Sequence, residues 1–296
     1  MKAGQTAVSL GLMATSVRVV HESYCPDIGP ICAERDEPPQ LHDQRFSLGE
    51  LRARVEYGLT ETWGLEVQFP IRLNHTTVQF RRLDGTPVSL DYVNIHHRNE
   101  TLFGLADPWV RARYALGLGD VSLVARAGLT VPLGGTVENP FALGDAGQEH
   151  QHVQFGTGTV QPLLALEAER RWDGGWSARA WGQAQLSLAE NRFGYRNGHR
   201  FAVGVSGEVP VVGALRLSVG ADLANEQPER WDGRVQQDGN LGRTDVLMGG
   251  GLAYPVGRVQ LGLTVRVPVY QHIIGHHGQL TYPGLLGLTA ETVFGE

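Results

Sequence analysis

The sequence predicts an all-β protein, a transmembrane antiparallel up-and-down β-barrel of about 12 strands that forms one domain over residues 1–296. Three observations predict it. Apolar and polar residues alternate with period two over runs of roughly 10 residues or more, longer than the 5 to 6 typical of a strand in a soluble protein. The connections between these runs alternate between short and long. No stretch approaches the roughly 18 consecutive apolar residues of a membrane helix, although 42% of the chain is hydrophobic.

Composition points the same way. The 39 glycines are about twice the usual share of roughly 7%, which suits strands and tight turns better than packed helices. The 25 basic and 31 acidic residues leave a formal charge of −6, too mild for a nucleic-acid partner.

The first segment, Gln5 to Arg18, alternates small or polar with apolar residues. It lacks the charged start, unbroken apolar core and small-residue cleavage site of a secretory signal, so the chain is expected to be a mature form whose signal has been removed. In the next run Leu51, Ala53, Val55, Tyr57 and Leu59 share one face, against Glu50, Arg52, Arg54 and Glu56. Trp63, Leu65, Val67, Phe69, Ile71 and Leu73 then oppose Glu66, Gln68, Arg72 and Asn74. The same division recurs around Val110 to Leu116 and Val259 to Val267, and the last run ends at Phe294. Each run gives a lipid-facing side without a hydrophobic block.

Short turns are expected at 60–62, 119–120, 173–175, 212–213 and 256–257, and long loops at about 22–45, 82–105, 133–153, 191–198, 226–241 and 272–278. An even strand number with both termini on the short-turn side is the organisation of a bacterial outer-membrane barrel, with the short side periplasmic and outer-membrane lipids as partners. Trp63, Trp176, Tyr254 and Tyr282 stand at expected strand ends and would form the aromatic girdles.

The polar faces define an expected lumen. Arg52, Arg54, Arg72, Arg111, Arg113, Arg126, Arg179, Arg216, Arg258 and Arg266 line it, with Glu50, Glu56, Glu66, Glu167, Glu169, Asp222, Asp245 and Glu291 on the same surface. Two readings stay open: a ladder of ion pairs that fills a narrow barrel, and a selective pore lined by unpaired charge. The six long loops together carry −8, so the rim is acidic and the remainder slightly basic.

All 11 histidines fall in the long loops or at strand ends beside them. Imidazole binds Zn, Cu, Ni and Fe. His96, His97, His272, His276 and His277, with the His150-x-His152 pair, are therefore the candidate ligands of a divalent transition metal at the rim. No spacing among them matches a recognised zinc motif, and an incidental gathering of polar residues in loops is the other reading. Cys25 and Cys32, the two cysteines, share the first long loop, where an oxidising envelope favours a disulfide. A redox pair is the alternative, without the C-x-x-C spacing of thioredoxin-like enzymes.

An enzyme is not expected. The G-x-S-x-G lipase motif is absent, and a lipid hydrolase would need Ser89 or Ser187 to reach a loop histidine such as His199.

Gly104-Leu105-Ala106-Asp107-Pro108, Val131-Pro132-Leu133-Gly134, and Arg266-Val267-Pro268-Val269-Tyr270 followed by Gly278-Gln279-Leu280 carry a family likeness. Through them the chain, from about residue 46 to its end, resembles the outer-membrane proteins grouped with the phenol meta-degradation transporters. The resemblance implies an outer-membrane barrel described as a transporter. The chain departs from the group in its acidic, cysteine-bearing first loop and its histidine-rich loops.

The function expected from the residues is passage of a small solute or ion through a narrow charged lumen, with metal capture at the rim. A surface binding or structural barrel without transport is the alternative.

Overall fold

The structure, a computed structural model, describes residues 1–23, 39–90, 94–237, 239–273 and 279–295. Among these the strands in chain order are β1 (Thr6–Ser23), β2 (Gln40–Gly58), β3 (Trp63–Arg82), β4 (Pro87–Val88), β5 (Glu100–Leu105), β6 (Trp109–Leu118), β7 (Val121–Thr130) and β8 (Pro162–Arg171). They continue as β9 (Ser177–Gln185), β10 (Tyr195–Arg196), β11 (Arg200–Val212), β12 (Leu215–Glu226), β13 (Arg230–Trp231), β14 (Arg243–Val256), β15 (Val259–Ile273), β16 (Gln279–Thr281) and β17 (Leu285–Phe294). One short helix, α1 (Pro140–Asp145), lies in the connection from β7 to β8.

The sheet closes on itself. β1 pairs with β2 along one edge and with β17 along the other, so that Thr6 stands opposite both Tyr57 and Phe294. Two barrel strands are interrupted. β5 and β6 run in succession along β3, broken at Ala106-Asp107-Pro108, and β16 and β17 run along β1, broken at Tyr282-Pro283-Gly284. Counted as single strands, they give the twelve antiparallel strands that the sequence predicts. Short turns close tightly: Gly119 and Gly257 each take φ +60° at the first central position of a two-residue hairpin. That backbone favours glycine there.

The outer face reports the membrane. Leu10, Leu12, Leu51, Val55, Leu65, Phe69, Leu263 and Leu288 are all exposed. Toward the long loops the same faces of β1, β2 and β3 turn polar, through Ser16, Arg18, Asp43, Arg45, Ser47, Thr77, Gln79 and Arg81. Arg18 pairs with Asp43 at 2.7 Å on that upper face. Apolar side chains face hydrocarbon and charged ones the water beyond it, so the change marks the lipid boundary. Trp63, Trp176 and Tyr254 stay exposed beside the short turns as a girdle. Tyr282 does not join them: it is 7% exposed and packs inside the barrel with Val17 and Leu247.

The wall is uneven. β1, β2 and β3 have 18, 19 and 20 residues, whereas β7 and β8 have 10 each and β9 has 9. The first long loop is shorter than expected because β1 and β2 stay paired as far as Ser23 and Gln40. Both faces are polar there, which hides the strand from a search for hydrophobic alternation.

Two expected positions are corrected. Arg258 does not line the lumen: it is the second residue of the Gly257-Arg258 hairpin and is exposed. His272 faces outward. Val246 pairs with Tyr270 while Leu247 pairs with Pro268, so Val269 is an extra residue in β15. Such a β-bulge reverses the facing of everything beyond it, and His272 stacks beside Tyr270 on the outer side, ring centroids 6.5 Å apart. Cys25, Cys32, His276 and His277 lie outside the described residues.

The facing assignment makes a direct prediction. Leu263→Arg, on the outer face of β15, is expected to lower the unfolding free energy in phospholipid vesicles by about 2–4 kcal/mol. The inward Thr264→Arg costs less, as read by urea titration of the two variants.

Candidate functional site

Followed from the short turns toward the mouth, the inward face of β2 presents Glu56, Arg54, Arg52 and Glu50, then Leu48 and Phe46, then Gln44 and His42. Charge, apolar surface and imidazole thus follow one another along the lumen.

The charged zone is paired. Glu66, 1% exposed, accepts from Arg111 Nε at 2.9 Å through Oε1 and from Arg126 Nε at 3.2 Å through Oε2. Glu56 pairs with Arg113 at 3.1 Å, and Glu167 with Arg179 at 2.5 Å and Arg126 at 3.7 Å. In this cluster four guanidiniums meet three carboxylates, leaving one positive charge in excess. Glu50 holds both Arg52 and Arg72, and Arg54 reaches Glu291 across β1 at 2.6 Å. Arg216 pairs with Glu208, and Arg266 with Asp222 at 2.8 Å. Arg266 and Asp222 come from β15 and β12, on either side of β14. Gly249 of β14 stands opposite Arg266, and a Cβ there would lie 1.9 Å from the Val265 carbonyl. Of the ten arginines expected in the lumen, nine have a carboxylate partner, Arg258 being the exception among the described residues, so the ladder of ion pairs describes this zone. A buried charge without a partner would carry a desolvation cost of several kcal/mol.

The connection from β7 to β8 folds over the mouth. Asp107, in the break between β5 and β6, fastens both ends of it: Oδ1 accepts from Gly134 N at 2.9 Å, and Oδ2 from the backbone N and Oγ1 of Thr157 at 2.7 Å each. Two of the short motifs that carry the family likeness therefore meet at one carboxylate. Arg72 donates to the Phe155 carbonyl at 3.3 Å, and the Phe155 ring lies against Gly104, where a Cβ would come within 2.8 Å of it. Beyond these anchors the loop crosses to the connection between β12 and β14. There Asn139 donates to Asp232 at 2.8 Å, and the Phe141 and Trp231 rings approach to 6.3 Å. Residues 94–98, in the connection from β4 to β5, are part of the same cover, since Arg98 donates to the His150 carbonyl at 2.9 Å.

Six of the histidines gather beneath this cover in two groups: His21, His42 and His97, and His96, His150 and His152. Within each group one ring nitrogen from every residue lies within 4.8 Å of the others. Asn94 places the adjacent pair, its Oδ1 accepting from the backbone N of His96 at 2.9 Å and of His97 at 2.7 Å. Burial, reinforced by the neighbouring imidazoles, pushes His96 down to about 2 and His152 to about 4, and holds His97 well below the ordinary histidine value. These rings are neutral at pH 7 and keep a lone pair to offer. The sequence named His96 and His97 with the His150 and His152 pair, but not His21 and His42. Their signal is register: both face inward and stand directly opposite each other on β1 and β2.

A serine–histidine pair is not formed at Ser187. Its backbone N donates to His199 Nδ1 at 2.9 Å, while its hydroxyl accepts from Gln161 at 3.4 Å.

A closed antiparallel barrel with an apolar outer belt, an ion-paired interior and a folded cover is an outer-membrane β-barrel of the bacterial type. No family model matches the chain, and no curated protein matches it. Among solved structures it is similar to the COG4313 outer membrane channel from Pseudomonas putida F1, with a TM-score of 0.60 and 16% identity over 99% of this chain and 97% of that one. Weaker likenesses are to the TodX monoaromatic hydrocarbon channel in a deltaS2S3 mutant form (TM-score 0.48, 10% identity, 99% and 91% covered) and to a FadL homologue of Pseudomonas aeruginosa (TM-score 0.44, 11% identity, 98% and 90% covered). The first of these establishes a shared fold along nearly the whole length of both chains.

Two substitutions test the site. Glu66→Gln removes the carboxylate partner of Arg111 and leaves Arg126 to Glu167 and Glu56 at 3.7 and 3.9 Å, and is expected to cost about 3 kcal/mol of unfolding free energy. Arg179→Gln, at a half-exposed pair, costs under about 1 kcal/mol. Asp107→Ala is expected to speed amide exchange at Gly134 and Thr157 and proteolysis within residues 131–161, with the heat-modifiable gel migration of the barrel unchanged.

Proposed function

We propose that the barrel is an outer-membrane transporter that passes a small solute through its lumen and is closed at rest by the β7–β8 connection. One observation carries this reading: the cover is a detachable element on a self-sufficient wall. Its two ends lie together, Gly156 N donating to the Gly135 carbonyl at 2.8 Å, while the chain between them spans the mouth. The strands beneath pair fully without it. A purely structural barrel has no need of a strap fastened to its inner surface by a buried carboxylate.

The narrow charged lumen belongs to the same proposal. Paired charges keep the passage tight and hydrated only in part, and the excess guanidinium of the Arg126 cluster favours anions among small ions. The apolar zone above it, where Val17, Leu247 and Tyr282 meet Val19, Phe46, Leu280 and Leu285, suits a solute with an apolar part. The resemblance to the phenol meta-degradation transporters fits this reading and rests on the short motifs that meet at Asp107.

Planar-bilayer conductance tests the proposal. Replacing residues 136–155 by a short glycine-serine linker, which the adjacent ends allow, is expected to raise single-channel conductance several-fold over the full chain, with anion preference. A folded barrel that conducts in neither form, and passes no solute in a liposome-swelling assay, removes the transport reading and leaves a surface binding barrel.

A further inference from the structure

We propose that the mouth is a two-centre site for a borderline divalent transition cation, Zn(II) being the reference ion, with His21, His42 and His97 as one centre and His96, His150 and His152 as the other. This assignment stands apart from the transport reading, since it needs only that the mouth be folded. Three neutral imidazoles are a sufficient protein donor set for zinc, which keeps a fourth position for water or another ligand.

Four observations support it. The first is reach. Zinc–nitrogen bonds of about 2.0–2.1 Å place tetrahedral ligand atoms about 3.3 Å apart. His21 Nε2 and His97 Nε2 are 3.1 Å apart, His96 Nδ1 and His150 Nε2 are 2.7 Å apart, and every member of each group is within 4.8 Å. Small side-chain rotations close the remainder. The second is tautomer. His150 Nδ1 lies 2.8 Å from the Gln148 carbonyl and His21 Nδ1 lies 3.1 Å from the Glu22 carbonyl. A carbonyl accepts, so in each ring the Nδ1 carries the proton and the Nε2 lone pair is turned toward the group. This is the outer arrangement that metal-ligating histidines use.

The third observation is an unmet need. His42 Nδ1 and His152 Nε2, one in each group, are buried and have no hydrogen-bond partner among the described residues. A buried polar atom left unpaired is costly, and a cation bound at either group would give that imidazole a partner. The fourth is enclosure. The Phe80 ring meets His42 edge-on at 5.0 Å and the Phe141 ring meets His152 at 5.0 Å, an apolar second layer that keeps bulk water from the donors. One competing contact must yield: the Gln44 amide stands 3.3 Å from His21 Nε2 and would turn aside on binding.

The ligands come from two tall barrel strands and two covering loops. A cation bound here therefore ties the loops at 94–98 and 148–152 to the wall, and the adjacent residues His96 and His97 couple the two centres through one peptide unit.

The test uses the full chain without a polyhistidine tag, folded in detergent and freed of metal by chelator dialysis, titrated with Zn(II) in competition with a chromophoric chelator. Two zinc ions per barrel are expected, with Kd micromolar or tighter. His97→Ala and His152→Ala are each expected to lose one of the two, with gel migration showing the barrel folded. His272→Ala, on the outer face, is expected to keep both. One zinc or none in the full chain overturns the assignment. So does unchanged stoichiometry in both His97→Ala and His152→Ala, or loss of zinc in the His272 variant.

Discussion

The constraint on which everything else depends is that no strand edge may be left open in the hydrocarbon. An unpaired backbone donor or acceptor there has no water to turn to and costs several kcal/mol, so the sheet must close. Closure between β1 and β17 fixes the register of all twelve strands, and the register decides which side chain faces lipid and which faces the lumen. Fixed facing in turn forces guanidiniums and carboxylates from neighbouring strands into one narrow space, where pairing is the only inexpensive arrangement. Glu66 between Arg111 and Arg126 is thus a product of the backbone ladder as much as of local chemistry.

The unequal wall follows from the same ladder and gives the interior its layered character. Where β1, β2 and β3 rise above the lipid boundary, their outer faces become polar while their inner faces carry Val17, Phe46, His21 and His42. Where β7 to β9 stop short, the chain fills the vacancy with the β7–β8 connection and the small β10–β13 sheet, within which Trp231 is 1% exposed. The cover is built on the low side and fastened to the high one. Asp107 sits at the junction, in the break between β5 and β6 along β3, where the backbone turns a carboxylate toward the incoming loop.

Much of this is legible in the amino-acid sequence. Alternation marked the membrane strands because lipid and lumen impose opposite polarity, and the glycines at 119 and 257 marked hairpins. It failed where the physical contrast disappears. Above the bilayer both faces of β2 meet polar surroundings, so residues 40–45 read as loop although they are strand. Nine of the ten arginines expected in the lumen stand on regular strands, each with a carboxylate partner; Arg258 falls in a turn. Of the histidines, the local pair at 96 and 97 was visible, but its division between two separate groups depends on loops whose paths no periodicity encodes. His21 and His42 could have been found by continuing the inward parity of β1 and β2 past the last apolar residue.

The bulge at Val269 has a consequence for how such a mouth can change over generations. Beyond that one extra residue, the inventory of the interior and that of the exterior are exchanged, while the hydrogen-bonded wall below is untouched. A single-codon insertion or deletion in the upper part of a strand is then a means of recruiting a side chain into the vestibule or expelling one from it. His272 stands outside, beside Tyr270, by the margin of one residue. The chemistry of the entrance can drift in whole-residue steps on a scaffold whose lipid contract stays fixed.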